Sequence, residues 1–586
     1  MSADILFARR HRSPSYWLVG ILASVLFGSV LLPGGAVAQN KDYEEWLEQQ
    51  RQEYEEYLNE QAEAFLNFLK KEWENVRIDT PASTPIDDKP RQIPRLGDDP
   101  SPAVNNDLAV PEQEDPTSGN ASSEASNDEA EGEAEELLED PGLSSQEESS
   151  EEESSFPDQE LEEAVSETEE ENPEDSSPPE SSSSEEVESQ DPAPDETGPN
   201  RPNPSPSNPA PEEESKAPEV NREASISFFG TTTAIPYGSA LLPSLGGAPD
   251  KSSIRKFWET MARSPHGPTL EAVQRHREDI GLSDWGYYRY LQDLSTRLYG
   301  DADANEQVLW TWFMMMKSGY GARVGYREGQ VFLMLPVEEK IFGQPQMHIG
   351  GQRYYLMTDE VGGSLRTYEG QHEEAGQVLD LNARSLPDLA EEAETRTVSF
   401  AFQDERHELD VAHNPAVVDY LREYPNVDLR VLFEAGLSSV AQGSITEELQ
   451  PLLDGRTPRE SLNLLLKFSQ FTTDYKRDQD HFGEERYLFP EETLASDYSD
   501  CEDRAVLMAY LTKELLGRGV VGLKWPNHVA LAVRAADGLD PTKNDRTVSV
   551  DGATYIFADP TYIGSSLGME MPIIEGEAPE IISLRQ

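Results

Sequence analysis

The alternation of hydrophobic and polar positions divides the chain into stretches of very different character. Arg9, Arg10, His11 and Arg12 precede an apolar run from Tyr16 to Leu32, which Pro33 and Gly34 end ahead of Ala36-Val37-Ala38. That order predicts an export signal over 1–38. The run is about 17 residues, the short limit for a membrane span, so the competing reading is an uncleaved anchor. Either way the bulk of the chain is expected in the periplasm, cell envelope or exterior. Membrane contact is expected only if the segment is uncleaved. Next, Tyr43, Trp46, Leu47, Tyr54, Tyr57, Leu58, Phe65, Leu66, Phe68, Leu69 and Trp73 recur at spacings of three and four among Glu, Gln and Lys. This predicts an aromatic-striped helix within 39–78. Two readings stand for residues 41–78: docking to a partner helix, or packing on the same chain.

Periodicity then disappears. Residues 79–223 carry Ser/Glu tracts (Glu148 to Ser155, Ser181 to Glu186) and a Pro/Asn/Ser-rich stretch from Pro192 to Pro211. Too little apolar surface is present there to offset the entropy of ordering, which predicts a disordered, extended acidic tether. Periodic patterns resume near Ser225. They predict two α+β domains, 224–397 and 398–586. In the second, Val506, Leu507, Leu511, Leu515 and Leu516 keep a helical period that Gly517 and Gly519 end. A strand is predicted over Val520 to Lys524, another from His528 through Val533, and a third from Ala553 to Ala558.

Composition sharpens this picture. Of 586 residues, 113 are Asp or Glu and 47 Lys or Arg, a formal net charge of −66. Most of that excess precedes the globular part. Nucleic acid is excluded as a partner on this balance, because it requires basic surface. A single cysteine excludes an intramolecular disulfide and a Cys-based structural zinc site. No cofactor and no metal site is expected.

That cysteine, Cys501, stands at the predicted N-terminus of the helix. There unpaired N–H groups and the helix dipole favour a thiolate. Asp500, Glu502 and Asp503 act the other way unless they point elsewhere. His528 opens the next predicted strand pair. Asp559 follows the last strand, where Pro560 cannot continue a ladder. Cysteine, histidine and aspartate in this order suit a nucleophile, a base and an orienting acid.

The motifs Asp500-Cys501-Glu502-Asp503-Arg504-Ala505, Asn527-His528-Val529-Ala530-Leu531-Ala532-Val533 and Tyr555-Ile556-Phe557-Ala558-Asp559-Pro560-Thr561-Tyr562 together resemble the transglutaminase-like superfamily, a circularly related cousin of the papain fold. Phe482 to Leu494 and Leu465 to Phe471 extend the resemblance, which covers about 398–573. It implies a papain-like α+β fold with Cys501 as nucleophile, His528 as base and Asp559 as orienter. It also implies Gln470 and the Cys501 backbone N–H as oxyanion donors. The implied activity is acyl transfer or hydrolysis on amide bonds of a protein or peptide substrate. The alternative is an inactive transglutaminase-like binding or scaffold module displayed on the tether. Val529 replaces the Ala-Trp that follows the histidine in many members, which removes that aromatic wall.

The preceding domain echoes this one. With a constant offset, Val308, Leu309, Gly319, Gly321, Val331 and Leu333 face Val506, Leu507, Gly517, Gly519, Val529 and Leu531, and Asp359 faces Asp559 after a small adjustment. Asp303 and Gln330 stand where Cys501 and His528 are. The expectation is a degenerate copy without thiol chemistry; shared α+β grammar is the alternative.

Overall fold

Each of two lobes begins with a tight β-hairpin, continues through helices and closes in an antiparallel sheet. In the computed structural model, residue 49 and residues 63–82, 89, 93–96 and 220–585 are described, apart from 302, 359–361, 371–374, 391–392 and 575–577. They all fall in one compact unit. The expectations for 1–38, for Asp359 and for most of 79–223 lie outside these residues. The described part is mixed α+β.

In the C-terminal lobe, Glu394–Phe402 pairs with Glu405–His413 around a two-residue turn, Gln403-Asp404, whose positive φ angles suit a right-twisted hairpin. Helices follow, among them Pro458–Phe471 and the short Asp478–His481 and Pro490–Ala495, and then Cys501–Leu516. The sheet runs Thr547–Val550, Ala553–Ala558, His528–Arg534, Val520–Trp525 and Glu580–Ile582, each pair antiparallel. The N-terminal lobe repeats this order: hairpin Arg222–Phe228 with Thr231–Tyr237, helix Asp284–Tyr299, helix Ala304–Lys317, then a sheet. That sheet runs Gln346–Ile349, Gln352–Leu356, Gln330–Pro336, Arg323–Arg327 and Ser364–Tyr368, also antiparallel. Over these five strands the two sheet orders coincide; the first lobe's sheet carries a sixth strand at its Ser364–Tyr368 edge. The expected boundary at 397/398 falls inside the hairpin strand Glu394–Phe402, because the hairpin belongs wholly to the second lobe.

The N-terminal segment differs from expectation in two places. The aromatic helix ends by Leu69, and Trp73–Arg77 is a strand that extends the first lobe's sheet beside Ser364–Tyr368. An open sheet edge supplies hydrogen-bond partners that outweigh the helical pattern of five residues. Phe65, Leu66, Phe68 and Leu69 are buried. Phe65 meets Trp258 at a centroid separation of 4.4 Å, and Phe68 and Trp73 each meet Tyr368 at 5.4 Å. Residues 63–77 therefore pack on their own chain, each buried large side chain contributing roughly 1.5–3 kcal/mol. The partner-helix expectation for 41–62 lies outside the described residues, Gln49 excepted.

The second difference concerns the expected tether, of which the described residues 79–82, 89 and 93–96 are docked. Asp79 bridges Gln346, Lys89 is buried, and Arg95 pairs in parallel with Ile563. The tail of that segment also joins the fold, since the first hairpin begins at Arg222.

Candidate active site

Cys501 begins a helix that is buried continuously from Cys501 to Thr512. A helix buried on all sides is a core element, and its first residue is held as firmly as the core. The start is fixed by Asp503. Its carboxylate accepts the backbone N–H of Asp500 at 3.1 Å and of Leu488 at 2.8 Å. Gly517 ends the helix in the left-handed conformation, φ 61°, a position that suits a residue without Cβ. The Phe489-Pro490-Glu491-Glu492 motif is a brace next to this helix. Glu491 accepts backbone N–H bonds from Asn414 and Ser438, which cap two other helices, and Glu492 accepts that of Phe489.

The cysteine helix packs on the strand His528–Arg534. That strand follows Val520–Trp525 through the turn Pro526-Asn527, which sets Trp525 opposite His528. Their rings lie 5.9 Å apart at 30°. Trp525 thus supplies from the preceding strand an aromatic neighbour that Val529 does not. His528 is fully buried, and its Nε2 is 2.8 Å from Asp559 Oδ2. Asp559 Oδ1 accepts the backbone N–H groups of Thr561 at 3.0 Å and Tyr562 at 3.2 Å. Three hydrogen bonds aim the carboxylate, and an acceptor facing Nε2 favours the Nε2–H tautomer. His528 Nδ1 is left buried without a hydrogen-bond partner: a lone pair free to take a proton.

Gln470 has a different position from the one the resemblance implies. Its Nε2 donates to Tyr562 O at 2.9 Å and Ser565 Oγ at 3.1 Å, and its Oε1 accepts from Lys467 Nζ at 2.9 Å and Gly564 N at 3.3 Å. Both amide hydrogens are committed to the loop after Asp559. Gln470 is a positioning residue for that loop, not a free oxyanion donor. The first-turn N–H of Cys501 has no intrahelical acceptor, as at any helix start.

The thiol itself is fully buried and donates to Glu502 Oε2 at 3.1 Å; among the described residues it forms no hydrogen bond to His528. Burial, with the charges of Glu502 and Asp500, pushes the thiol pKa well above its usual range. Of the acidic neighbours noted in the sequence, Asp503 turns away to the backbone N–H groups of Asp500 and Leu488, whereas Asp500 and Glu502 stay beside the sulfur, and the resting thiol is neutral.

Those carboxylates surround a residue that the sequence assigned to the tether. Lys89 Nζ lies 2.6 Å from Glu485 Oε1, 2.6 Å from Asp500 Oδ2 and 3.4 Å from Asp478 Oδ2, and it pairs with Glu502 Oε1. The Lys89 side chain is 2% exposed. Burial alone would discharge it, but Glu502 and Asp500 outweigh burial and hold the ammonium protonated. One cation faces four carboxyl groups. Burial, followed by the neighbouring acidic charges in Asp500 and opposed by Lys89 in all three, pushes Asp478 and Glu485 up to about 7 and Asp500 to about 8. Residue groups within this cluster, such as Asp478, Glu485 and Glu502, have oxygen spacings that could also hold a metal ion. Sequence reasoning missed Lys89, Asp478 and Glu485. The one available signal was the unexplained excess of acid beside Cys501, which called for a counter-ion without saying where it came from.

The first lobe builds the corresponding junction differently. Asn305, in the first turn of Ala304–Lys317, donates to Gly329 O at 3.0 Å and accepts from Val331 N at 2.8 Å. Asp303 and Gln330 are exposed. An amide staple joins helix to strand there, and no thiol or imidazole is present.

No family model matches the chain, and neither a curated protein nor a solved structure does.

Proposed function

We propose that the protein is an exported cysteine acyltransferase or hydrolase of amide bonds, with Cys501 as nucleophile, His528 as base and Asp559 as orienter. The observation that carries this reading is the buried His528–Asp559 pair, with Nδ1 unpartnered on the strand that the cysteine helix packs against. Cys501 gives its proton to His528 Nδ1, and the sulfur attacks an amide carbonyl to form a C–S bond. The imidazolium returns that proton to the leaving nitrogen as the C–N bond breaks, giving a thioester. Water or an amine then resolves it with His528 as base. The thiol must first turn from Glu502 to Nδ1. The first lobe fits the reading as a silent copy, carried by its matching strand order, that contributes surface rather than chemistry.

A second reading, a non-catalytic binding module, is favoured by one observation: the thiol proton is held by Glu502. An activity-based thiol probe, applied to the full chain and to His528→Ala with peptide amides as competitors, separates the two. The enzyme reading expects labelling that substrate peptides suppress and that His528→Ala lowers at least tenfold. Equal labelling of both proteins leaves the binding module.

A further inference from the structure

We propose that the carboxylate socket formed by Asp478, Glu485, Asp500 and Glu502 is a binding site for the ammonium group of a lysyl side chain, and that Lys89 fills it in cis as the resting occupant. This concerns binding beside Cys501 and holds whether or not the thiol is catalytic. Two features set the socket apart from an ordinary acidic cluster. It contains a buried cation that arrives from almost 400 positions away in sequence (the separation from Asp478 is 389). In addition, Asp500 Oδ1 is fully buried and lacks a partner. The ring of Tyr487 lies 6.0 Å from Nζ, an aromatic wall suited to a cation.

The segment is gripped as a peptide ligand would be. Arg477 donates to the backbone carbonyl of Lys89 at 3.5 Å. Further along, Leu96 N donates to Ile563 O at 2.9 Å and Ile563 N to Pro94 O at 3.2 Å, on the loop that follows Asp559. The chain is therefore pinned on the cysteine side by its ammonium group and on the aspartate side by its backbone. Next to the socket, His481 stacks on Phe482 at 4.1 Å and meets Tyr498 edge-on at 5.2 Å. Phe482 and Tyr498 remain 36% and 37% exposed, an apolar rim for residues flanking a lysine. Occupancy also reaches the thiol. Lys89 binds Glu502 through Oε1 while Oε2 accepts the Cys501 proton, so the socket's occupant sets the carboxylate that holds the nucleophile.

The test compares the full chain with Lys89→Ala by titration calorimetry. The probes are Nα-acetyl-lysine N-methylamide, its norleucine counterpart and calcium ion. The proposal expects Lys89→Ala to bind the lysine probe at least tenfold more tightly than the wild type. It also expects no binding of the norleucine probe, and a tenfold weakening of the lysine probe relative to Lys89→Ala when Glu485→Gln is added. Equal affinity in the two proteins overturns the proposal, as does preferential binding of calcium, which makes the socket a metal site. If Lys89→Ala does not fold, the wild type decides by amine acetylation mapped by mass spectrometry. Lys89 should resist acetylation alone and react once millimolar lysine probe is present. Prompt acetylation without probe, or none with it, refutes in-cis occupancy. None of these readouts uses thiol chemistry, so an inert Cys501 leaves the outcome unaffected.

Discussion

Replacing Lys89 with methionine keeps much of the stem and removes the charge, and its cost should grow steeply with pH. A carboxyl whose folded pKa lies above its unfolded value favours folding below the unfolded pKa, and that advantage is lost as pH rises through the folded pKa. Asp478, Glu485 and Asp500 are such groups, moving from ordinary carboxyl values to about 7, 7 and 8. Wild-type stability should therefore fall between about pH 4 and 8. Without the ammonium, the folded socket must keep about one more proton to hold the same net charge. One extra bound proton costs about 1.4 kcal/mol per pH unit. Between pH 5.5 and 8.5 the variant's deficit should widen by about 4 kcal/mol. For a lobe of this size that corresponds to roughly 8–16 °C in melting temperature. Melting followed by tryptophan fluorescence at three pH values in that range measures it. A deficit that stays constant with pH would mean that Lys89 contributes packing and not charge, and would refute the electrostatic account of the socket.

Three further outcomes follow from the same geometry. Cys501 should react slowly with iodoacetamide at pH 7, its rate climbing only above the ordinary thiol range near ~8.5, because burial and Glu502 hold it neutral; rapid alkylation at pH 7, read by mass spectrometry, contradicts this. Asp559→Asn leaves the side chain in place but offers His528 Nε2 an ambiguous partner; amide turnover should fall at least ~10²-fold while melting shifts little. Gln470→Leu strands the loop groups its amide satisfies and should cost about 1–3 kcal/mol, with kcat lowered and Gln470→Glu recovering part of the loss by retaining the Gly564 contact.

What the sequence could reveal divides by the range of the interaction. The helix from Cys501 and the strands from Val520, His528 and Ala553 were legible because apolar period, glycine stops and proline breaks act within a few residues. The His528–Asp559 pairing was legible because both sit at ends of neighbouring strands. The strand Trp73–Arg77 was not, since its partner Ser364–Tyr368 lies in a distant part of the chain and local pattern favoured helix. Gln470 sits beside the Asp559 loop but holds that loop instead of an oxyanion. Sequence can suggest that an amide lies near Asp559, yet it does not show which amide hydrogens are already used. Lys89 was hidden because a low-complexity neighbourhood averages away a single residue. The acid beside Cys501 was visible; the cation that answers it was not.

The two lobes separate what the scaffold requires from what the site adds. Both need a helix start seated against a strand start. In the first lobe Asn305 closes that junction with two backbone hydrogen bonds, a neutral and self-sufficient solution. In the second, the junction carries a thiol, an imidazole with a free nitrogen and a ring of carboxyl groups that needs an outside cation. Buried charge of this kind is a poor source of stability compared with packed apolar side chains, so the scaffold does not account for it. The amide staple shows that this sheet order closes without it. Asn305→Ala should therefore cost the first lobe about 0.5–1.5 kcal/mol, the usual net worth of a hydrogen bond whose groups water can reach, and leave Cys501 labelling unchanged. If thiol reactivity moved with the staple, the lobes would be one mechanical device, and the division between scaffold and site would fail.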